Sequence, residues 1–241
     1  MMRFPLLCAI LTLVPLGGCK RPVQAEPAAK AFGAAIVEVG GGKQAAGVGT
    51  TLEQPVVVQV NDAQGSPVAA APVCIRTTGG ATVEPAQGLT GADGQFSTTI
   101  TLGAVPGGCQ IAAITQDKVG KNVELHLQEI ALGYEQILGR ELSERYCARC
   151  HDPESTPERV SNHDNLKANA PAFTDGNKVN SVSEADLAAI IAHGGSAWNR
   201  SPEMPPFGFT LAKSDINALV AYICGVADPP CRSKGLVYAK N

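Results

Sequence analysis

Two periodicities divide the chain. Val56, Val58 and Val60 fall on one side of an extended backbone and Val57 and Gln59 on the other. Further short apolar runs occupy 34–39, 72–77, 96–102, 109–115 and 122–127. Turn material separates the runs, as in Asn61-Asp62-Ala63-Gln64-Gly65 and Gly91-Ala92-Asp93-Gly94. Short strands with regularly spaced turns predict a β-sandwich over 34–130. From residue 131 the spacing turns helical. Tyr134, Ile137, Leu138 and Leu142 predict a first helix. Ser183 with Asp186 three residues on predicts a capped helix start, Leu187, Ile190 and Ile191 its apolar side, and Gly194-Gly195 its end. Ser214 is expected to cap a last helix whose Ile216, Leu219, Val220 and Ile223 form one stripe. Gly225 is expected to end it, with Pro229-Pro230 preventing its resumption. The expected fold is therefore multidomain: an all-β sandwich at 34–130, then an all-α domain at 131–241.

The N-terminal segment departs from both patterns. A basic start, Met1-Met2-Arg3, leads into a mostly apolar run that ends at Leu16-Gly17-Gly18-Cys19. The run is too short to span a bilayer, which takes roughly 20 residues, and fits the core of an export signal over 1–18. The Leu16–Cys19 string resembles the lipobox of bacterial lipoproteins. The resemblance implies lipidation of Cys19, a membrane anchor and a periplasmic or cell-surface location. Lys20 lacks the acidic inner-membrane retention signal seen in some lipoproteins, which favours the outer membrane. Residues 19–33, rich in Ala and Pro, read as a tether. A net charge of −3, about −2 over 20–130 and about −2 over 131–241, offers no basic face for nucleic acid.

The sandwich region resembles bacterial Ig-like repeats of the invasin and intimin type. The resemblance lies in the run from Val58 to Val68, in Ala71-Pro72-Val73, and in the run from Thr90 to Phe96. It implies an Ig-like domain serving as stalk or contact module. No chemistry is evident there. His126 shares its strand face with Glu124 and Gln128 and reads as a surface residue.

Eight cysteines sharpen the picture. Cys8 belongs to the export signal and Cys19 to the anchor. Cys147 and Cys150 belong to a motif described below. The remaining four allow three pairings. One bridge inside each domain, Cys74–Cys109 and Cys224–Cys231, is the expected arrangement in an oxidising compartment.

The string Cys147-Ala148-Arg149-Cys150-His151 has the Cys-x-x-Cys-His spacing of c-type haem attachment. Two thiols on one turn can each add to a porphyrin vinyl group, and the next residue presents an imidazole to the iron. With 8 Cys and 4 His in 241 residues, chance supplies about 0.004 such strings. A thioredoxin-like pair would need a βαβ setting, and a zinc half-site would need a second cysteine pair at suitable spacing. Neither is present in the sequence.

Met204, in Pro202-Glu203-Met204-Pro205-Pro206-Phe207, is the one methionine beyond the export signal. Its prolines stiffen a loop able to hold a thioether against iron. Residues 133–231 resemble the small monohaem class I cytochromes c, through the Cys147–His151 motif, the Met204 loop and the terminal helix. The resemblance implies one covalent haem c with His151 and Met204 as axial ligands. It also implies a crossing of first and last helices at Gly139 and Tyr222, and an exposed haem edge near Ala148 and Arg149. His163 and His193 are alternative sixth ligands. Trp198 and Arg200 are candidates to line the haem or meet its propionates.

These features predict a non-catalytic, one-electron carrier serving redox partner proteins. A two-haem peroxidase would need a second Cys-x-x-Cys-His, which the sequence lacks. A haem-based sensor and a surface adhesion module with an accessory haem domain are the alternatives.

Overall fold

The computed structural model describes residues 31–154 and 170–231. Nine strands form the first region: β1 (Ala35–Gly40), β2 (Ala45–Gly47), β3 (Val56–Asn61), β4 (Pro72–Thr77), β5 (Thr82–Glu84), β6 (Gln87–Leu89), β7 (Gln95–Thr101), β8 (Gly107–Gln116) and β9 (Asn122–Leu132). They make two sheets, ordered β1-β3-β7-β5 and β2-β9-β8-β4-β6. Apart from the parallel β2–β9 pair, neighbours run antiparallel. Alternation determines the interior. Val56, Val58 and Val60 meet Phe96 and Ile100 of their own sheet and Val73, Ile75, Ile111 and Ala113 of the other in one apolar core. His126 lies on the outer face, 3.5 Å from Glu124.

The expected Cys74–Cys109 bridge is not formed; both are free thiols. Register explains why. Cys74 lies opposite Ile114 on the neighbouring β8, five residues from Cys109, which is about 17 Å along a strand. Parity also separates them. Cys109 shares the inward face with Ile111 and Ala113, whereas Cys74 sits between inward-facing Val73 and Ile75 and so points outward. The Cys109 thiol donates to the Thr78 carbonyl at 3.3 Å.

Four helices form the second region: α1 (Tyr134–Tyr146), α2 (Gly176–Val179), α3 (Glu184–His193) and α4 (Lys213–Val226). The Ser183 hydroxyl accepts the Asp186 N–H, as its spacing predicts. The last helix differs from expectation at both ends. It starts at Lys213 behind an Ala212 cap, and the Asp215 carboxylate accepts the Ala212 N–H at 3.0 Å. Its last turn includes Gly225, where a side chain would collide with Gln136. Beyond it, Cys224 and Cys231 form a disulfide.

The two regions adjoin directly. β9 ends at Leu132 and α1 begins at Tyr134, with Gly133 alone between them. Ala45 and Leu132 of the sandwich are buried in the helical core beside Leu219, Tyr222 and Ile223. Among the described residues no helix is long and apolar enough to cross a membrane.

Candidate haem-attachment site

The attachment motif continues the axis of α1. The N–H of Cys147 bonds the Ser143 carbonyl, that of Cys150 the Cys147 carbonyl, and that of His151 the Cys147 carbonyl, all at 2.8–3.0 Å. This extra turn sets Cys147, Cys150 and His151 at i, i+3 and i+4, on one face. Both cysteines are unpaired. Burial pushes the Cys147 thiol up to about 11, the Ser143 hydroxyl draws it part of the way back, and neighbouring Cys150 adds to the rise. Near neutral pH the sulfur is a protonated thiol, the form whose S–H adds across a vinyl group without net charge.

His151 is held on two sides. Its Nδ1 lies 2.7 Å from the Pro171 carbonyl oxygen. Its ring stacks on Phe173 with centroids 4.6 Å apart and planes 18° from parallel. Phe173 in turn meets Tyr222 edge-on at 6.3 Å. A carbonyl at Nδ1 places the ring proton on that nitrogen, the usual arrangement behind a histidine that ligates through Nε2. The donor set therefore fits haem c: two thiols and an oriented imidazole on one turn.

Met204 belongs to a loop pinned by glycines. Gly194 has φ +78° and would place a side chain 2.8 Å from the Met204 carbonyl oxygen. The Gly195 N–H donates to that oxygen at 3.0 Å, and the N–H groups of Phe207 and Gly208 donate to the Ile191 and Ala192 carbonyls. The Gly194-Gly195 pair ends α3, as its sequence predicts, and also admits the methionine loop to close contact. Phe207 meets Tyr146, the residue before Cys147, edge-on at 6.2 Å. Met204, Phe207, Tyr146 and Cys147 all pack against the same apolar core. His193 closes α3, Trp198 is 40% exposed, and Arg200 is exposed. Cys19 and His163 lie outside the described residues.

The helix crossing is tight. A Cβ on Gly139 would come 2.0 Å from the Ala218 carbonyl oxygen and 2.7 Å from the Tyr222 Cβ, so α1 and α4 touch backbone to backbone. The apolar positions of α1 are used unequally. Ile137, Leu142 and Tyr146 join the core, whereas Tyr134 is 88% exposed.

Sequence reasoning missed a buried polar group behind this crossing. Glu154, three residues beyond His151, is only 5% exposed. One of its carboxylate oxygens accepts the Tyr222 hydroxyl at 2.5 Å, and the other lies 2.9 Å from Arg140 Nε. Burial pushes the Tyr222 hydroxyl above the tyrosine range, and the Glu154 carboxylate pushes it further. Arg140 Nη1 donates to the carbonyl of Ala45, in the sandwich, at 2.9 Å. Only the position of Gly139 beside Arg140 hints at this in the sequence.

The architecture is a β-sandwich joined end to end with a helical domain. Residues 43–127 match the family of bacterial Ig-like domains, group 1, and residues 137–223 match the family described as cytochrome C oxidase, cbb3-type, subunit III. The chain thus carries a bacterial Ig-like domain followed by a cytochrome c domain, and a cytochrome c domain implies haem c and electron transfer. Solved structures give distant likenesses. The D00-D0 domain of intimin is 15% identical with a TM-score of 0.33, over 45% of this chain and 51% of that one. Invasin, a bacterial integrin-binding protein, is 21% identical with a TM-score of 0.29, over 40% of this chain and 18% of that one. An Escherichia coli adhesin is 19% identical with a TM-score of 0.26, over 38% and 29%. The aligned part of the chain spans about half the length of the intimin D00-D0 fragment. No curated protein matches the chain.

Proposed function

We propose that this protein is an exported, lipid-anchored one-electron carrier with a single haem c. Cys147 and Cys150 would attach the haem, His151 and Met204 would ligate its iron, and Cys19 would carry the anchor. The observation that carries the reading is the contact of His151 Nδ1 with the Pro171 carbonyl, which orients the imidazole one turn from two unpaired thiols.

Bound haem supplies the one-electron redox chemistry. The chain's residues hold and orient it. His151 is fixed by Pro171 and Phe173. The methionine loop is fixed by Gly194, Gly195 and the Phe207 and Gly208 backbone bonds to α3. With His151 and Met204 both on the iron no position would be open to a substrate, and the methionine would raise the potential. Redox partner proteins are the substrates. The export leader and the Ig-like match, a domain type shared with surface proteins, support a location outside the cytoplasm, with the outer membrane favoured.

Optical spectra of protein made with a haem-maturation system test the reading, with and without Met204→Ala. The expected result is covalent haem whose far-red thioether-to-iron band disappears on substitution. A band indifferent to the substitution removes Met204 as ligand. Absence of covalent haem, where a control cytochrome matures, overturns the carrier reading.

A further inference from the structure

Three positions beyond His151 the structure buries a carboxylate against a half-buried arginine. Glu154 is almost wholly buried, and Arg140 approaches it from α1. Burial of the carboxylate costs several kcal/mol of desolvation, so the pair is weak evidence of a stabilising role. Apolar residues would fill the space between two helices at least as stably. Each group is also held by more than its partner. Tyr222 donates to one carboxylate oxygen, the other makes only the ion-pair approach to Arg140 Nε with no hydrogen bond, and the Ala45 carbonyl accepts from Arg140 Nη1. Glu144, the other carboxylate on this arginine, lies 3.4 Å away with its side chain 60% exposed. Water screens that charge as it cannot screen Glu154.

We propose that Arg140 and Glu154 are positioning residues that set the electrostatic field at the haem site, with the Ig-like domain holding the arginine in place through Ala45. The proposal rests on the carrier reading. Oxidised haem carries one more positive charge than reduced haem. The buried carboxylate therefore favours the oxidised form and the half-buried guanidinium the reduced form. Three residues separate Glu154 from His151, so their Cα atoms lie within about 11 Å. Taking the carboxylate-to-iron distance as about 14 Å and the effective dielectric as about 20–40, one unit of charge would change the oxidised-to-reduced equilibrium by about three- to sevenfold. The paired charges nearly cancel, and this cancellation is what the geometry preserves. The Ala45 contact makes the sandwich part of the haem environment.

The test is spectroelectrochemical titration of full-length holoprotein at pH 8. Covalent haem in the unsubstituted protein is checked first by mass, so loss of the carrier reading is seen separately. Glu154→Gln, whose amide oxygen can still accept the Tyr222 hydroxyl, is expected to raise the potential by the equivalent of about three- to sevenfold. Arg140→Gln is expected to lower it, and the double variant to return it to within about twofold of the original. Glu144→Gln, the same charge change at an exposed position, is expected to leave it within about twofold. A merely structural pair would not give opposite signs that cancel. Shifts of the same sign, no shift in Glu154→Gln, or a double variant that fails to return would overturn the proposal while the haem assignment stands. If Arg140→Gln does not accumulate, Arg140→Lys replaces it. Lysine retains the charge, so the potential should stay within about twofold, and a larger change would count against the electrostatic role.

Discussion

Replacing Glu129 with glutamine should flatten the pH dependence of sandwich stability. Glu129 has no exposed surface. One carboxylate oxygen accepts the Gln44 N–H at 2.5 Å, and the other meets no hydrogen-bond donor among the described residues. Burial raises its pKa from about 4.5 to about 7, the Gln44 and Lys43 backbone groups oppose the rise, and the Glu38 charge adds to it. Below about pH 4.5 both folded and unfolded chains hold the proton, and the group imposes no penalty. Between about 4.5 and 7 the unfolded chain loses it while the folded one keeps it, so stability falls by about 1.4 kcal/mol per pH unit. Above 7 both are ionised and the loss levels off at about 3 kcal/mol. Glu129→Gln is neutral throughout. Urea unfolding followed by the β-sheet circular dichroism signal, from pH 4 to 8.5, gives the stability of each protein. The difference, variant minus original, should rise by about 3 kcal/mol between pH 4.5 and 7.5. A difference constant within about 1 kcal/mol would refute the reasoning, because it would mean that Glu129 is solvated or paired when folded.

Three further outcomes follow from the packing. Gly139→Ala gains about 1 kcal/mol of helix propensity. Its Cβ would collide with the Ala218 carbonyl, and overpacking of about 1–3 kcal/mol or more should win, read as a lower thermal midpoint of the helical region. Replacing both Cys224 and Cys231 by serine opens a loop of sequence separation 7, which should cost about 2–3 kcal/mol on the chain-entropy relation, measured by denaturant unfolding. In folded holoprotein, Cys74 is half-buried and Cys109 is 1% exposed with its thiol pKa raised by burial. Maleimide should therefore label one of these thiols in native protein and the second on unfolding, and neither if they were bridged.

What the sequence made legible was periodicity and spacing. The alternation of Val56, Val58 and Val60 and the stripe from Ile216 to Ile223 became cores as read. The Cys147–His151 spacing was a local property of one turn and needed no tertiary information. Pairings across the fold were less accessible. Even cysteine counting suggested a bridge that strand parity forbids, although the alternation around Cys74 already placed it opposite Val73 and Ile75. Glu129 continues the inward row of Val123, Leu125 and Leu127, but reading the last strand as ending at Leu127 left it unnoticed. Tyr134 and Leu138 looked like core because they are apolar, whereas the close helix contact is made by Gly139. Arg140, Glu154 and Tyr222 come from three distant segments, and charge alone marks the first two as surface residues. Only the fold reveals that they meet.

The single residue between β9 and α1 has a mechanical consequence. A helix turns about 100° and advances about 1.5 Å for each residue added. Inserting one residue at Gly133 would therefore swing the face carrying Cys147, Cys150 and His151 a quarter turn relative to the sandwich, tearing Leu132 from its niche and Arg140 from Ala45. The Ig-like and haem modules are not beads on a string that recombination could shuffle freely. They share one phase, and the direction in which the Cys147–His151 turn faces is encoded in the length of a strand.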